Sequence, residues 1–310
     1  MGVRRIFCLV VLAAACALGQ GQAFSFAVLS DIQSGTDTWQ NALAEIRDRK
    51  VNPEPVFPPA ELVLVVGDLR HGIKDMGPEA GEGHVFEGAT PRPVFLPVVG
   101  NHEFDKEGEH FRYMRDVLLP ALRGAVRRHE TSCDYYYDHR NVRIIAVDGY
   151  TDLGKGGVIN DKGREWVERV ITETPPVIEH VFVAFHEPAF PRKRHVGDSF
   201  DQDRKRRDAF WRMLLAHRGR VRAVFVGHTH LYSRMRVLDP SGEAANDPKA
   251  FPDEAGGLWQ INAAQAGIDG VSTIVQVRVA GEGVLFRALQ AEKGAGKLFA
   301  LADAWTWCAE

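Results

Sequence analysis

Residues 221–230 read VRAVFVGHTH. Six mostly apolar residues, rich in β-branched side chains, end at a glycine and two histidines. A short apolar run of this kind is typical of a strand that is buried on both faces of a sheet. The segment therefore predicts a central strand whose carboxyl end carries polar side chains.

The same pattern recurs five more times along the chain. Apolar runs at residues 24–30, 62–66, 94–99, 142–147 and 181–185 end at Asp31, Gly67-Asp68, Gly100-Asn101, Asp148 and His186. Helices are predicted between several of these runs, at residues 39–50, 111–128, 162–172 and 204–217. This alternation predicts an α/β protein with covered sheets, and in such folds ligands bind beyond the carboxyl ends of the strands.

The region after His230 has a different pattern. Short extended runs at residues 237–238, 258–264, 272–279 and 283–289 are separated by Gly, Asp and Pro, without a long helical stretch. We expect a second, largely antiparallel sheet that completes the same core. Residues 24–310 are therefore predicted to form a single domain, and the glycine- and proline-rich residues 77–93 a surface loop near the site.

Composition excludes several classes of protein. The chain has 310 residues, of which 45% are hydrophobic and 25% charged, and this excludes long disorder, collagen-like repeats and a disulfide-dense mini-domain. Lys and Arg number 38 against 41 Asp and Glu, for a net charge of −3. A general nucleic-acid binder usually has a strongly basic domain, so we expect no stable nucleic-acid partner.

The N-terminus has the order of a signal peptide. Arg4 and Arg5 precede an apolar run at residues 6–18, and small residues follow up to Ala23. The run is too short to span a bilayer, so residues 1–23 are predicted to be a signal peptide, with no transmembrane segment after cleavage. The protein is then exported, either periplasmic or secreted. Alternatively, residues 12–16 loosely resemble a lipobox that would leave a lipid anchor at Cys16.

The polar residues after the strands offer only oxygen and nitrogen donors. They are Asp31, Gln33, Asp68, Asn101, His186, His228 and His230. Such a set suits Mn, Fe, Zn or similar ions better than a soft-metal site. Seven donors exceed one tetrahedral site but fit two metal ions that share a carboxylate and lie about 3.5–4 Å apart, a spacing that clamps a phosphate.

At these residues the sequence resembles the calcineurin-like metallophosphoesterases. Its five signature blocks are matched in order by Asp31-x-Gln33, Gly67-Asp68, Gly100-Asn101-His102-Glu103, His186 and Gly227-His228-x-His230. The resemblance implies an αββα four-layer sandwich of two mixed β-sheets, with a dinuclear metal site at the C-terminal ends of the strands.

The resemblance also implies a role for each matched residue. Asp31, Gln33 and His230 would bind the first metal ion, Asn101, His186 and His228 the second, and Asp68 would bridge the two. His102 would contact the scissile phosphate and act as general acid or transition-state stabiliser. The nucleophile would be a metal-bound hydroxide.

Two positions depart from relatives. Many family members have His at position 33, so Gln33 implies an altered metal preference or substrate range. Purple acid phosphatases have Tyr where His71 stands, although residues 228–234 are similar to the corresponding segment of those enzymes. A relative of that branch and a generic phosphoesterase both remain open.

Other polar residues allow two interpretations each. Arg70 and His71 follow Asp68 closely and either contact the substrate phosphate or lie in a surface loop. Residues 192–195, Arg-Lys-Arg-His, could form a basic rim for anionic substrates. Glu103 either orients a ligand or His102, or is a solvated residue at a helix start. Asp148 is expected in a turn or in a supporting position behind the ligands.

The residues together predict an exported phosphoesterase that acts on a small anionic phosphate ester, most simply a phosphomonoester. One alternative is a phosphodiesterase or a nucleotide or nucleic-acid phosphohydrolase, because the same two-metal clamp serves both reactions. Another is a non-catalytic scaffold with the same fold. Cys133 and Cys308 lie outside the signal segment and could pair in an exported protein.

Overall fold

The computed structural model describes residues 23–33, 35–51, 57–70, 72–73, 86, 92–151, 156–241, 257–267 and 270–307. The predicted signal peptide, apart from Ala23, lies outside the described residues. So do Cys16, His71, Cys308 and most of the predicted loop at residues 77–93. Among the described residues, none of the helices has both the length and the hydrophobicity needed to cross a membrane.

The strands in chain order are β1 (Phe24–Leu29), β2 (Ala60–Val66), β3 (Val94–Val98), β4 (Ala125–Arg127), β5 (Tyr135–His139), β6 (Val142–Ala146), β7 (His180–Ala184), β8 (Val221–Val226), β9 (Tyr232–Val237), β10 (Leu258–Ala263), β11 (Val271–Ala280), β12 (Gly283–Glu292) and β13 (Ala300–Trp307). The α-helices are α1 (Thr36–Asp48), α2 (Asp105–Tyr113), α3 (Leu119–Ala121), α4 (Asp161–Thr172) and α5 (Arg204–Ala216). Short 3₁₀ turns span Asn101–Phe104 and Phe200–Gln202, and a π-helical turn at Met114–Leu118 joins α2 to α3.

The strands form two mixed sheets. The first has the order β13-β12-β11-β1-β2-β3, in which β1, β2 and β3 are parallel. The second has the order β4-β5-β6-β7-β8-β10-β9, in which β6, β7, β8 and β10 are parallel. The prediction that the strands after His230 form a second, largely antiparallel sheet is wrong, because they are divided between both sheets. Strands β9 and β10 extend the second sheet, where β10 is parallel to β8, and β11 to β13 extend the first.

Aromatic rings fill the space between the sheets. Phe26 on β1 lies with its ring centroid 5.2 Å from that of Phe182 on β7, and Phe182 lies 6.4 Å from Phe286 on β12. All three side chains are fully buried. Because β1 and β12 belong to one sheet and β7 to the other, these contacts hold the sheets face to face.

The helices cover the outer faces. On β7, Phe182 faces the other sheet, whereas its neighbour Val183 packs in a separate apolar cluster with Trp166 of α4 and Trp211 of α5. Helix α1 buries Trp39 against the first sheet. Both faces of the central strands are thus covered, which explains their continuous apolar sequence. The αββα sandwich predicted from the sequence is confirmed.

One predicted helix is wrong in its C-terminal part. The stretch 111–128 was expected to be helical, but α2 already begins at Asp105 and the helical segment ends at Ala121. Gly124 then takes a left-handed backbone conformation (φ 89°), and Ala125–Arg127 forms β4, which pairs with Tyr135–Tyr137 of β5. The tyrosines at 135–137 thus lie in a strand, as their β-propensity predicts. Similarly, the strand expected at 237–238 begins earlier, at Tyr232.

Candidate metal centre

The polar ends of strands from both sheets meet at one edge of the sandwich. His186 follows β7, and its Nδ1 donates to the carbonyl of Val66 at the end of β2 over 2.7 Å. The backbone N–H of His228, after β8, donates to Oδ2 of Asp31, after β1, over 3.0 Å. Both hydrogen bonds join one sheet to the other, so the two sheets build the site together.

Two glycines permit this close approach. A Cβ at Gly227 would lie 1.9 Å from Ser30 Oγ, and a Cβ at Gly67 would lie 2.3 Å from Nδ1 of His186. Gly67 also has a left-handed backbone (φ 83°). The Gly-Asp and Gly-His pairs of the sequence are therefore required where strands of opposite sheets nearly touch.

Most of the predicted ligands have a strained backbone. Left-handed φ angles occur at Asp31 (54°), Gln33 (45°), Asp68 (55°), His228 (70°) and His230 (56°). Such conformations cost about 1–2 kcal/mol for a residue other than glycine, and they cluster at functional sites. The left-handed backbone therefore lowers the stability of the folded state, and it directs these side chains towards the same site.

Asp31, Asp68 and His186 form the buried centre of the site. His186 Nε2 lies 3.3 Å from Asp68 Oδ1 and 3.9 Å from Asp31 Oδ1. All three residues are at most 1% exposed. Within the described part of the chain, Asp31 Oδ1 and His186 Nε2 make no hydrogen bond. Carboxylate oxygens and an imidazole nitrogen buried at this spacing are costly unless a positive charge, either a proton or a metal cation, lies between them.

The other predicted ligands surround this centre. His230 Nε2 lies 3.3 Å from Asp31 Oδ1 and 3.4 Å from the side-chain nitrogen of Gln33, which also lies 3.2 Å from Asp68 Oδ2. His228 Nδ1 is 3.1 Å from Asn101 Oδ1. A half-turn of the Gln33 amide would direct its oxygen, the atom that binds metals, to the same place. The structure thus brings all seven predicted donors together.

The electrostatics of the cluster favour a cation. Burial lowers the pKa of His186, but the carboxylates of Asp68 and Asp31 outweigh it and raise this pKa to about 10. Burial and the charge on His186 lower the pKa of His228 far below its usual range. One proton is therefore held tightly between two carboxylates while the next imidazole stays neutral. A metal ion would take the place of that proton.

His102 lies beside this cluster, held by residues of its own turn. Its Nδ1 is 2.8 Å from Asp105 Oδ2, and its Nε2 is 3.7 Å from Asp68 Oδ2. The Arg70 guanidinium contacts both Asp105 and the His102 ring. Arg70 is thus placed at the site, whereas its neighbour His71 lies outside the described residues.

Glu103 has a structural role that the sequence left open. Its carboxylate is fully buried and accepts four backbone N–H groups, from Asp68, Leu69, Arg70 and Gly100, over 2.7–3.2 Å. These hydrogen bonds hold the loop that carries Asp68 in its left-handed turn. Asp148, which also ends a strand, accepts the N–H groups of a turn instead, as expected.

Three residues near the site have no strand-end signal in the sequence. The ring of His195 lies 4.1 Å from that of His228, and Asp198 lies 3.3 Å from His195 Nδ1. On β10, Asn262 donates to the carbonyl of Gly227 and to Thr229 Oγ1. His195 belongs to the basic stretch 192–195 that was considered as a rim, but only the fold shows that it reaches His228.

These residues are suited to bind metal ions. Two groups bring carboxylate and imidazole donors within 4.8 Å of one another: Asp31 with Asp68 and His186, and His195 with Asp198 and His228. Only oxygen and nitrogen donors are present, which suits hard or borderline cations. A sheet edge with such donors at parallel strand ends is typical of a metal-dependent hydrolase.

Comparison with known families defines the class further. The sequence model of calcineurin-like phosphoesterases matches residues 24–232, and the chain therefore belongs to this family. The match begins at β1 and ends at the start of β9, so it includes every strand end that contributes a predicted ligand. No curated protein sequence matches the chain significantly.

Solved structures share the fold at low sequence identity. A purple acid phosphatase from yellow lupin (Lupinus luteus) superposes with a TM-score of 0.64 at 14% identity, over 92% of this chain and 53% of that one. A dimetal phosphatase from Danio rerio gives 0.55 at 13% identity, over 91% and 98%. PhoD gives 0.60 at 10% identity, over 92% and 70%. The chain spans about half the length of the lupin enzyme.

Proposed function

We propose that the protein is an exported phosphoesterase that hydrolyses phosphomonoesters with two metal ions. Family membership supports a phosphoesterase. The observation that carries the proposal is the set of seven donors around Asp31 and His186, two buried residues whose metal-binding atoms have no hydrogen bond within the described part of the chain.

This proposal assigns metal binding, proton donation and phosphate binding to different residues of the site. Asp31, Gln33 and His230 would hold one metal ion, Asn101, His186 and His228 would hold the other, and Asp68 would contribute to both sites. Bound metal ions would polarise the phosphate and lower the pKa of a water molecule. His102 would donate a proton to the leaving oxygen from Nε2, because its Nδ1 is engaged by Asp105. Arg70 and His195 would contact the phosphate oxygens.

A substitution test separates this function from its absence. In protein reconstituted with Mn²⁺, Fe or Zn²⁺, Asp68→Ala and Asn101→Ala should each abolish hydrolysis of a chromogenic phosphomonoester. Asp239→Ala, at an exposed turn, is the matched control and should keep wild-type turnover. Undiminished turnover in both site variants would contradict the proposal.

Three rival functions are distinguished by their substrates and by metal content. A diesterase would hydrolyse a chromogenic phosphodiester faster than the monoester, and a nuclease would cut single-stranded oligonucleotides at low salt. A non-catalytic scaffold would contain less than one metal ion per chain and hydrolyse no ester. The complete set of seven donors and the presence of His102 favour the enzyme.

Export is supported by the charge, the apolar run and the small residues at 1–23. Expression of the full chain should give a mature protein that lacks this segment in the periplasm or the medium. A lipid anchor at Cys16 would instead give a membrane-attached product, which Cys16→Ser would release. Retention of the uncleaved chain in the cytoplasm would contradict export.

A further inference from the structure

Phe104 stands out among the apolar side chains near the site. It is 37% exposed, and within the described residues it is the only aromatic one among the exposed large hydrophobic side chains. A single exposed apolar residue needs no explanation by itself. Phe104 is of interest because it lies two residues after the proposed general acid His102, in the same 3₁₀ turn.

Two buried aromatic residues hold the ring of Phe104 in place. It stacks on Phe111, with centroids 4.5 Å apart and the ring planes 25° apart, and it lies 5.3 Å from the ring of Tyr150. Phe111 and Tyr150 are only 8% and 4% exposed. Phe104 therefore packs against two buried aromatic rings, while part of its own surface is exposed to solvent.

Tyr150 connects this aromatic group to the metal centre. Its hydroxyl donates to Glu187 Oε1 over 2.9 Å, and Glu187 directly follows the ligand His186. Burial, and then the carboxylates of Glu187 and Asp68, raise the pKa of the Tyr150 hydroxyl well above its usual value. The cluster of Phe104, Phe111 and Tyr150 is thus linked to the site at two points: Phe104 shares a turn with His102, and Tyr150 donates a hydrogen bond to the residue that follows His186.

We propose that Phe104 binds a planar aromatic leaving group, so that the preferred substrates are aryl or other ring-bearing phosphate esters. This rests on the proposed function: the leaving oxygen accepts its proton from His102, and the rest of the leaving group must therefore extend past that side of the site. The exposed ring of Phe104 offers the offset-stacked or edge contact that aromatic groups favour.

Kinetics of the metal-loaded full chain test this inference. Wild type should hydrolyse phenyl phosphate with a higher kcat/KM than a fluoroalkyl phosphate whose alcohol is as acidic as phenol. Phe104→Ala should reduce that preference about fivefold, mainly through KM, because a stacked ring binds ground state and transition state alike. Phe104→Tyr should keep the preference. Val126→Ala, an exposed apolar truncation on β4, is the control and should also keep it.

An equilibrium measurement separates this inference from the proposed function. Titration calorimetry with phenylphosphonate and methylphosphonate reports ring binding without turnover. If no ester is hydrolysed but phenylphosphonate binds more tightly in a Phe104-dependent way, the proposed function fails and the aromatic subsite stands. Equal affinity of wild type for both phosphonates, or an unchanged preference in folded Phe104→Ala, would overturn the subsite.

Discussion

At the scale of single residues, Asp105 controls the orientation of His102. The carboxylate lies 2.8 Å from His102 Nδ1 and leaves Nε2 facing Asp68. This contact holds the ring and keeps a proton on Nδ1, so that Nε2 is the nitrogen that exchanges a proton with the substrate. Arg70 adds a positive charge on the same side. We therefore expect Asp105 to act through His102 and not as a metal ligand.

We expect Asp105→Asn to lower kcat about tenfold or more while metal content stays unchanged. The loss should be smaller than that from removing His102, since a general acid contributes about 100-fold or more. Steady-state kinetics and elemental analysis on the same preparation check both parts. Asp116→Asn, an exposed residue paired with Arg115, is the matched control. Loss of metal from Asp105→Asn would instead make Asp105 part of the ligand cluster.

A second buried histidine, His180, lies at the opposite end of β7 from the metal centre. Its Nδ1 accepts from Arg222 Nε over 2.8 Å, and its Nε2 lies 2.7 Å from the carbonyl of Gly281. These contacts fit the neutral ring, although Glu179 lies 3.9 Å from Nε2. Burial, reinforced by the charge on Arg222, lowers the pKa of His180 below its usual value of 6.5.

The lowered pKa of His180 has a consequence for stability. Below about pH 6.5, His180 binds a proton in the unfolded chain but not in the folded chain. The free energy of unfolding therefore falls as the pH drops. The limiting slope is about 1.4 kcal/mol per pH unit for one group. His180→Gln, whose amide can make the same two hydrogen bonds, should flatten this dependence in urea titrations at pH 5 to 7. An identical flattening in the control His217→Gln would exclude His180 as the source.

At the scale of the elements, β10 supports the loop after β8. Asn262 donates to the carbonyl of Gly227 over 2.6 Å and to Thr229 Oγ1 over 2.9 Å, and its own oxygen accepts the N–H of Ala264. The loop between these contacts carries His228 and its strained backbone. A strand more than thirty residues further along the chain thus fixes a metal-binding segment.

We expect Asn262→Ala to weaken metal binding about tenfold, because residues that orient ligands typically contribute about 10–100-fold to metal affinity. Competition with a chromogenic chelator measures this affinity. Asn41→Ala removes a comparable side chain that donates to the carbonyl of Lys297 far from the strand ends, and it serves as control. Equal affinities in the two variants would show that β10 does not hold the loop.

These examples show what a sequence can and cannot reveal about the site. Asp31, Asp68 and His186 were predictable because each follows a buried apolar run, and parallel strands end at one sheet edge. His195 and Asn262 were not, since their contacts with the loop of His228 depend on how distant segments pack. The helix at 111–128 was misplaced because its apolar pattern continues past Gly124, where the backbone reverses.

At the scale of the whole molecule, the candidate metal centre lies between the two sheets. Asp31 and Asp68 follow strands of the first sheet, and His186 and His228 follow strands of the second. The sheets otherwise meet mainly through apolar contacts such as Phe26 with Phe182. Cations held by donors of both sheets would cross-link the sandwich at its most strained edge. The prediction that residues 24–310 form a single domain can be tested by thermal unfolding.

We therefore expect one cooperative thermal transition that shifts upward with added Mn²⁺ or Zn²⁺. A ligand at 100 times its Kd stabilises the folded state by about 2.7 kcal/mol, which raises the Tm of a protein of this size by about 5 °C. His186→Ala and Asp68→Ala should each lose most of this shift. Each change removes a ligand that one of the two sheets contributes, so the cations would no longer link the sheets fully. His217→Ala, after α5, should keep the full shift. If both site variants responded to metal like the wild type, the cation would bind outside the strand ends and would not link the two sheets there.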